Sequence, residues 1–307
     1  MFTNTRGRLA LVSAVAVGAV VALAGCASGD PLDEGESSAG SDTLVVGSQD
    51  YYSNEIIAEI YAQALENGGF TVDRQFRIGQ REAYLPEIEA GSIDVFPEYS
   101  GSLLQALDAD APTGTADEVY TALEAALPEG LTVLDRAEAS DQNSWTVTQA
   151  FADTYGLTDI ASLSEVTEPI TVGGNSELET RPYGPTALKE EYGIEIAGFT
   201  PVEDSGGPLT VKALVDNKIQ LANIYTADPN ITSNNLIALD DPDNLFLPDN
   251  VVPVVSDKVD DSAADILNAV SAALDTDTLM ALNAQSVNDQ AAADTIATEW
   301  LTQEGLI

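Results

Sequence analysis

Beyond residue 42 the chain alternates between two hydrophobic rhythms. The apolar run "TLVVGS", residues 43–48, predicts a buried strand. Ile56, Ile57, Ile60, Tyr61, Ala64 and Leu65 then fall on one stripe at helical spacing, and Gly68-Gly69 ends it. A strand over 70–78, a helix through Leu85 and Ile88, and a strand over 93–96 complete a β-α-β-α-β series. That order predicts an α/β domain with a parallel sheet. A helix over 116–127 and a strand over 131–137 extend it. Past Trp145 the rhythm restarts, with strand "ITVGG" (170–174), helices ending in "ALKEEYG" and "LTVKALVDN", and the segment "KIQLANIYTAD" (218–228). In the tail, Val251 to Val255 reads as a crossing strand. Helices near 260–274, 277–284 and 289–303 are expected to return to the first lobe.

One stretch, "EIEAGSIDVFPEYSG" (87–101), stops a buried strand on Pro97 and sets Tyr99 just beyond, with Gly101 permitting a sharp turn. The segment 219–225 repeats its shape, apolar strand then tyrosine and a hydroxyl residue, at a separation of 126 residues. The echo predicts two lobes of similar construction. The expected division is 43–147 plus 249–307 for lobe 1 and 148–248 for lobe 2. Ligands of open α/β sheets bind beyond the carboxyl ends of strands, which aims Tyr99 and Tyr225 at one cleft.

The N-terminus adds a compartment. Residues 1–25 carry Arg6 and Arg8, an apolar run from Leu9 to Ala24, and small residues before Cys26, the pattern of a secretory signal. Cys26, the only cysteine, follows "LAG" as in the lipobox of bacterial lipoproteins; the alternative, a transmembrane anchor, has a rather short apolar run. Residues 26–42 read as a flexible polar tether. With 51 acidic residues against 11 basic, the formal net charge is −40, which repels nucleic acid and favours cations. A solvated acidic surface explains the same charge.

The chain has no histidine, which removes Ser-His-Asp and Cys-His catalysis and the commonest transition-metal ligand. "LDDPDN" (239–244) lacks the glycine and terminal glutamate of an EF-hand loop. No cofactor or metal is called for. Carboxylate pairs are numerous enough to leave an acid-pair hydrolase open. Tyr51, Tyr52, Tyr84, Tyr99, Trp145, Tyr183 and Tyr225 stand at element ends. Such faces around a cavity attract a quaternary ammonium; simple packing at a lobe interface is the other reading. Two helix starts, Ser53-Asn54 and Ser100-Gly101-Ser102, would turn free N–H groups towards the cleft, where a ligand carboxylate or a capping side chain takes them.

At these residues the chain resembles the substrate-binding proteins of ABC importers for glycine betaine, carnitine, choline and related osmoprotectants. "GSIDVFPEYSG" is similar to the family's Gly-x-Ile-Asp-x-x-Pro-Glu-Tyr-Thr-Gly run, "ETRPYGPTALKEEYG" to its Arg-x-Asp-Gly-Tyr-Pro-x-Leu segment, and "ANIYTADPNI" to its Tyr-Ser/Thr-Thr-Asp-Gly-x-Ile. "DQNSWTV" and "LPDNVVPVV" also match. The resemblance implies a bilobed, periplasmic-binding-protein-like fold of the Venus-flytrap type, lipid-anchored at Cys26 on the outer face of the cytoplasmic membrane. It implies a monomer that serves a permease and an ATPase and binds a small cationic or zwitterionic solute, not an enzyme. The implied cage of four aromatics places Tyr99 and Tyr225 directly and Trp145 for a third tyrosine. The fourth position falls on Pro185, with Tyr183 two residues away. Asn54 stands where the family has a polar glutamine, and Gly79-Gln80 replaces a Gly-Gly pair, bringing Gln80 to the pocket. Another small cation or an amino-acid derivative remains the alternative ligand.

Overall fold

The computed structural model describes residues 43–307; the signal, tether and Cys26 lie outside the described residues. The first sheet opens with β1 (Thr43–Gly47), β2 (Thr71–Gln75), β3 (Val95–Tyr99) and β4 (Leu131–Val133). The second holds β5 (Asn143–Thr148), β6 (Ile170–Gly174), β7 (Ile196–Pro201), β8 (Leu221–Tyr225) and β9 (Leu236–Ala238). The chain then returns as β10 (Val251–Ser256) to the first sheet. The strand orders are β2-β1-β3-β10-β4 and β7-β6-β8-β5-β9. Each sheet is mixed, and the fold is an α/β pair of lobes.

The two orders explain the sequence echo. β3 and β8 hold the middle of their sheets, each with a parallel neighbour on one side (β1, β6) and an antiparallel one on the other (β10, β5). Tyr99 and Tyr225 are therefore equivalent by topology, each the last residue of a central strand. Each antiparallel neighbour enters its sheet just after the chain has crossed between lobes.

The expected first lobe boundary needs correction. β5 belongs to the second sheet, with Asn143 opposite Tyr225 and Trp145 opposite Asn223, so the chain changes lobe before Asn143 rather than after residue 147. The crossing lies where Ser140 bridges Asn250 and the Asp141 N–H donates to the Asp249 carbonyl at 3.2 Å. The two crossings thus pair with each other.

Pro97 does not end its strand. β3 runs on to Tyr99, and Pro97 lies opposite Pro253 of β10. A proline pair is tolerated at a position where neither residue needs to donate to the other strand. β1 pairs with β3 only at Val46 and Val95, so past that point the Pro97 carbonyl has no strand neighbour on that side. A side chain takes over there, as described below.

Three helices of the first lobe position the cleft: α1 (Tyr52–Asn67), α2 (Arg81–Glu89) and α3 (Ser100–Leu107). The stripe read from the sequence buries Ile56, Ile57, Ile60, Tyr61 and Leu65 of α1. It packs with Leu267, Leu279, Ile296 and Leu301 from the three C-terminal helices, Asp261–Ala273, Thr276–Asp289 and Ala293–Glu304. Those helices do return to the first lobe.

Candidate functional site

Tyr99 and Tyr225 meet at a narrow cavity between the lobes, about 20 Å³ in volume. Tyr183 and Gln80 also line it, so four residues singled out from the sequence converge there. Tyr183 rests on Phe246 with ring centroids 5.3 Å apart. The acidic loop holds that phenylalanine: Asp241 accepts hydrogen bonds from the Leu245 and Phe246 N–H groups at 3.0 and 2.8 Å. Tyr51, just before α1, packs on Tyr225 at 4.7 Å and on Tyr52 at 4.9 Å. The Tyr99 hydroxyl is buried and has no hydrogen-bond partner.

Two expected members do not reach the cavity. Trp145 is fully buried in the second lobe's core, 6.2 Å from Phe246. On β5 it lies two residues beyond Asn143, which does line the cavity; one pleat repeat, about 6.6 Å, sets the indole a layer deeper. Its contribution is to Phe246, which in turn supports Tyr183. Asn54 spends both polar atoms on the fold. Its Oδ1 accepts from the Gln49 N–H at 2.8 Å, and its Nδ2 donates to the Pro97 carbonyl at 2.8 Å. It supplies the neighbour that β1 no longer provides to β3.

The helix-start reading also changes. The N-terminus of α3 is filled by Asp249, whose carboxylate accepts from the Ser102 N–H at 2.9 Å and the Ser102 hydroxyl at 2.5 Å. Asn143 Nδ2 donates to the same hydroxyl oxygen at 3.1 Å. A Cβ at Gly101 would lie 2.7 Å from the Pro248 carbonyl, so only glycine lets α3 start this close to the second crossing.

Electrostatics divide the lining. Arg81 and Glu98 form a buried pair, Nε to Oε1 at 2.9 Å and Nη2 to Oε2 at 2.8 Å, and Tyr84 donates to Glu98 at 2.7 Å. Burial alone would raise the Glu98 pKa, but the guanidinium and these donors hold it below the ordinary carboxylate value. Breaking such a pair costs about 3–5 kcal/mol, because the survivor is an uncompensated buried charge. Asp141 and Asp249 have no basic partner in ion-pair contact among the described residues. Burial pushes Asp141 up to about 7, against hydrogen bonds from the Ala227 N–H and the Tyr51 hydroxyl, with Asp228 and Asp249 adding to the rise. Burial likewise raises Asp249 to about 6, against the Ser102 donors.

The lobes clasp each other around this cavity. Gln80 Nε2 donates to Ser205 Oγ at 3.0 Å, and that hydroxyl donates to the Asp50 carbonyl at 3.1 Å. Arg181 bridges to Glu82 at 3.1 Å, and Tyr52 donates to Asp228 at 3.1 Å. Ser205 has φ +52°, and a Cβ on Gly206 would meet the Asn223 carbonyl at 2.9 Å, so this turn is built to press against β8. Sequence reasoning missed Asp141, Asp249 and Ser205 as functional residues. The first two sit inside "DQNSWTV" and "LPDNVVPVV", but nothing in the spacing separates them from dozens of other acids.

Two sheets of matching strand order, joined by paired crossings around an aromatic and carboxylate-lined cleft, define a bilobed solute-binding protein. The chain belongs to the OpuAC family, the substrate binding domain of ABC-type glycine betaine transport systems, matched over residues 42–303. It is 25% identical over 274 residues to the glycine betaine-binding protein YehZ of Escherichia coli strain K12, covering 85% of this chain and 90% of that one. It is 21% identical over 268 residues to the carnitine transport binding protein OpuCC of Listeria monocytogenes, covering 85% and 86% of the two chains. Among solved structures, a glycine betaine/carnitine/choline ABC transporter protein superposes with a TM-score of 0.69 at 18% identity, over 86% of this chain and 99% of that chain.

Proposed function

We propose that this chain is the extracytoplasmic receptor of an ABC importer and holds a small trimethylammonium solute between its lobes. The observation that carries the reading is the convergence of Tyr99, Tyr183 and Tyr225 on a cavity with two carboxylates that make no ion pair among the described residues. Electron-rich ring faces favour a cation that donates no hydrogen bonds, and buried carboxylates favour positive charge in general. Gln80 contacts the solute from the first lobe, and Tyr51 braces Tyr225 from behind. The relatives' glycine betaine and carnitine share the trimethylammonium head. The role is capture and delivery to a permease and its ATPase, not catalysis: the cavity's acids are occupied in holding the crossings together.

Cation–π attraction is about 0.5–2 kcal/mol per desolvated ring, and each 1.4 kcal/mol is about tenfold in affinity. Tyr99→Ala or Tyr225→Ala therefore weakens binding by about threefold to thirtyfold in calorimetric titration. The deciding comparison is a trimethylammonium ligand against its uncharged tert-butyl isostere. Equal affinities would mean that the pocket reads shape alone, and the reading would fall.

The receptor works as a monomer tethered at the outer face of the cytoplasmic membrane through lipidated Cys26, on the strength of the "LAGC" motif. Cys26→Ser is expected to abolish incorporation of a fatty-acid analogue in metabolic labelling. Label retained by the serine variant would sink the anchor.

A further inference from the structure

We infer that Asn283 and Tyr52 are positioning residues for Tyr225: they pin the turn after it to the first lobe, so Tyr99 and Tyr225 stay together as a half-cage when the lips part. The inference rests on the reading of Tyr225 as a solute contact and deepens it. β8 makes Tyr225 part of the second sheet. The residues that follow are held by the other lobe. Ala227 is fully buried and belongs to the first lobe's hydrophobic cluster, with Tyr99, Val251 and Leu282. Its N–H donates to Asp141, in the first crossing, at 2.8 Å. Its carbonyl accepts from Nδ2 of Asn283, in the helix Thr276–Asp289, at 3.1 Å. Asp228 accepts from the Tyr52 hydroxyl at 3.1 Å, and its own N–H closes the turn on the Tyr225 carbonyl at 3.1 Å. Tyr51, which donates to the same Asp141, lies against the Tyr225 ring.

Burial separates this turn from the lips. Asn283 is fully buried and Asp228 is 2% exposed, whereas the Glu82 side chain in the lip bridge is 55% exposed. Contacts open to water break at small cost during a lobe movement, and buried ones persist. The turn also bonds directly to the first crossing, and points beside a crossing move least when lobes rotate about it. Asn283 is a costly residue to keep there, because its Oδ1 is buried with no hydrogen-bond partner among the described residues. An apolar side chain would avoid that penalty but would leave the Ala227 carbonyl without its donor. Tyr183 is carried by the second lobe's core, against Phe246. The solute therefore meets Tyr99 and Tyr225 first, and closure adds Tyr183.

Calorimetric titration of a double-mutant cycle tests the role, with glycine betaine and choline as the probes. Asn283→Leu is expected to weaken binding by about threefold or more in the wild-type background, and by less than about twofold once Tyr225→Ala is present. The same loss in both backgrounds, or none in the first, would overturn the inference, whatever happens to the melting temperature. Tyr52→Phe keeps the ring and removes only the hydroxyl, so it runs the same cycle if Asn283→Leu fails to fold. The Ala227 amide gives a reading that needs no solute. Its hydrogen exchange in the empty receptor, followed by NMR, is expected to be as slow as in the buried middle of α1. Exchange at the rate of an exposed turn would mean that the turn leaves with the second lobe, and the inference would fall. Wild type that binds neither probe would strike the trimethylammonium reading and leave the amide measurement to decide the positioning alone.

Discussion

Asp141 joins three parts of the molecule through one carboxyl group. The Tyr51 hydroxyl donates to it at 3.0 Å from the first lobe, the Ala227 N–H at 2.8 Å from the second, and its own backbone lies in the first crossing. Asp228 and Asp249 are the charged groups that raise its pKa, and Tyr52 stands behind Tyr51. Its folded pKa of about 7 lies above the ordinary aspartate value near ~4, so the native state keeps a proton that the unfolded chain releases. The stabilisation is complete below the unfolded pKa and is lost as pH rises through the folded one. Ligand-free protein should thus melt higher at pH 5 than at pH 8, with Asp249 acting in the same sense. Asp141 alone contributes at most roughly 4 kcal/mol to that difference. Asp141→Asn is neutral throughout and should flatten the dependence in a pH series of thermal melts. A slope equal to wild type would show that the proton is held elsewhere.

At the scale of elements, the sequence made the periodic parts plain. The α1 stripe, the strands ending at Tyr99 and Tyr225, and the helical tail follow from local hydrophobic spacing, which a single chain displays directly. What escaped depends on which elements become neighbours. Trp145 and Asn143 share one face of β5, and nothing local says which of them ends at the cavity and which lies one repeat deeper. Asn54 was expected at the ligand from the resemblance; its structural task follows from the end of β1–β3 pairing at Val46 and Val95, which no local pattern displays. Pro97 looked like a strand end because its partner, Pro253, lies far along the chain. Asp249 was invisible for the same reason: its meaning comes from α3, whose start it fills from the second crossing.

Across the whole molecule, two groups of contacts between the lobes stand out. Gln80 with Ser205 and Arg181 with Glu82 join the lips of the cleft, whereas Asp141, Asp249 and their donors lie at the crossings. A bilobed receptor opens about such crossings when its solute leaves. Small-angle scattering is expected to show a smaller radius of gyration with a saturating trimethylammonium solute than without. An unchanged radius alongside proven binding would mean that the lips stay shut in the empty receptor. The paired crossings also set a mechanical division of labour. Ser140 bridging Asn250 acts as an axle, and a force applied beside an axle has a short moment arm. Groups there turn the lobes only weakly. The torque that shuts the receptor must come from the lips, where the lever is long. Altering Ser205 or Glu82 therefore shifts how often the cleft closes.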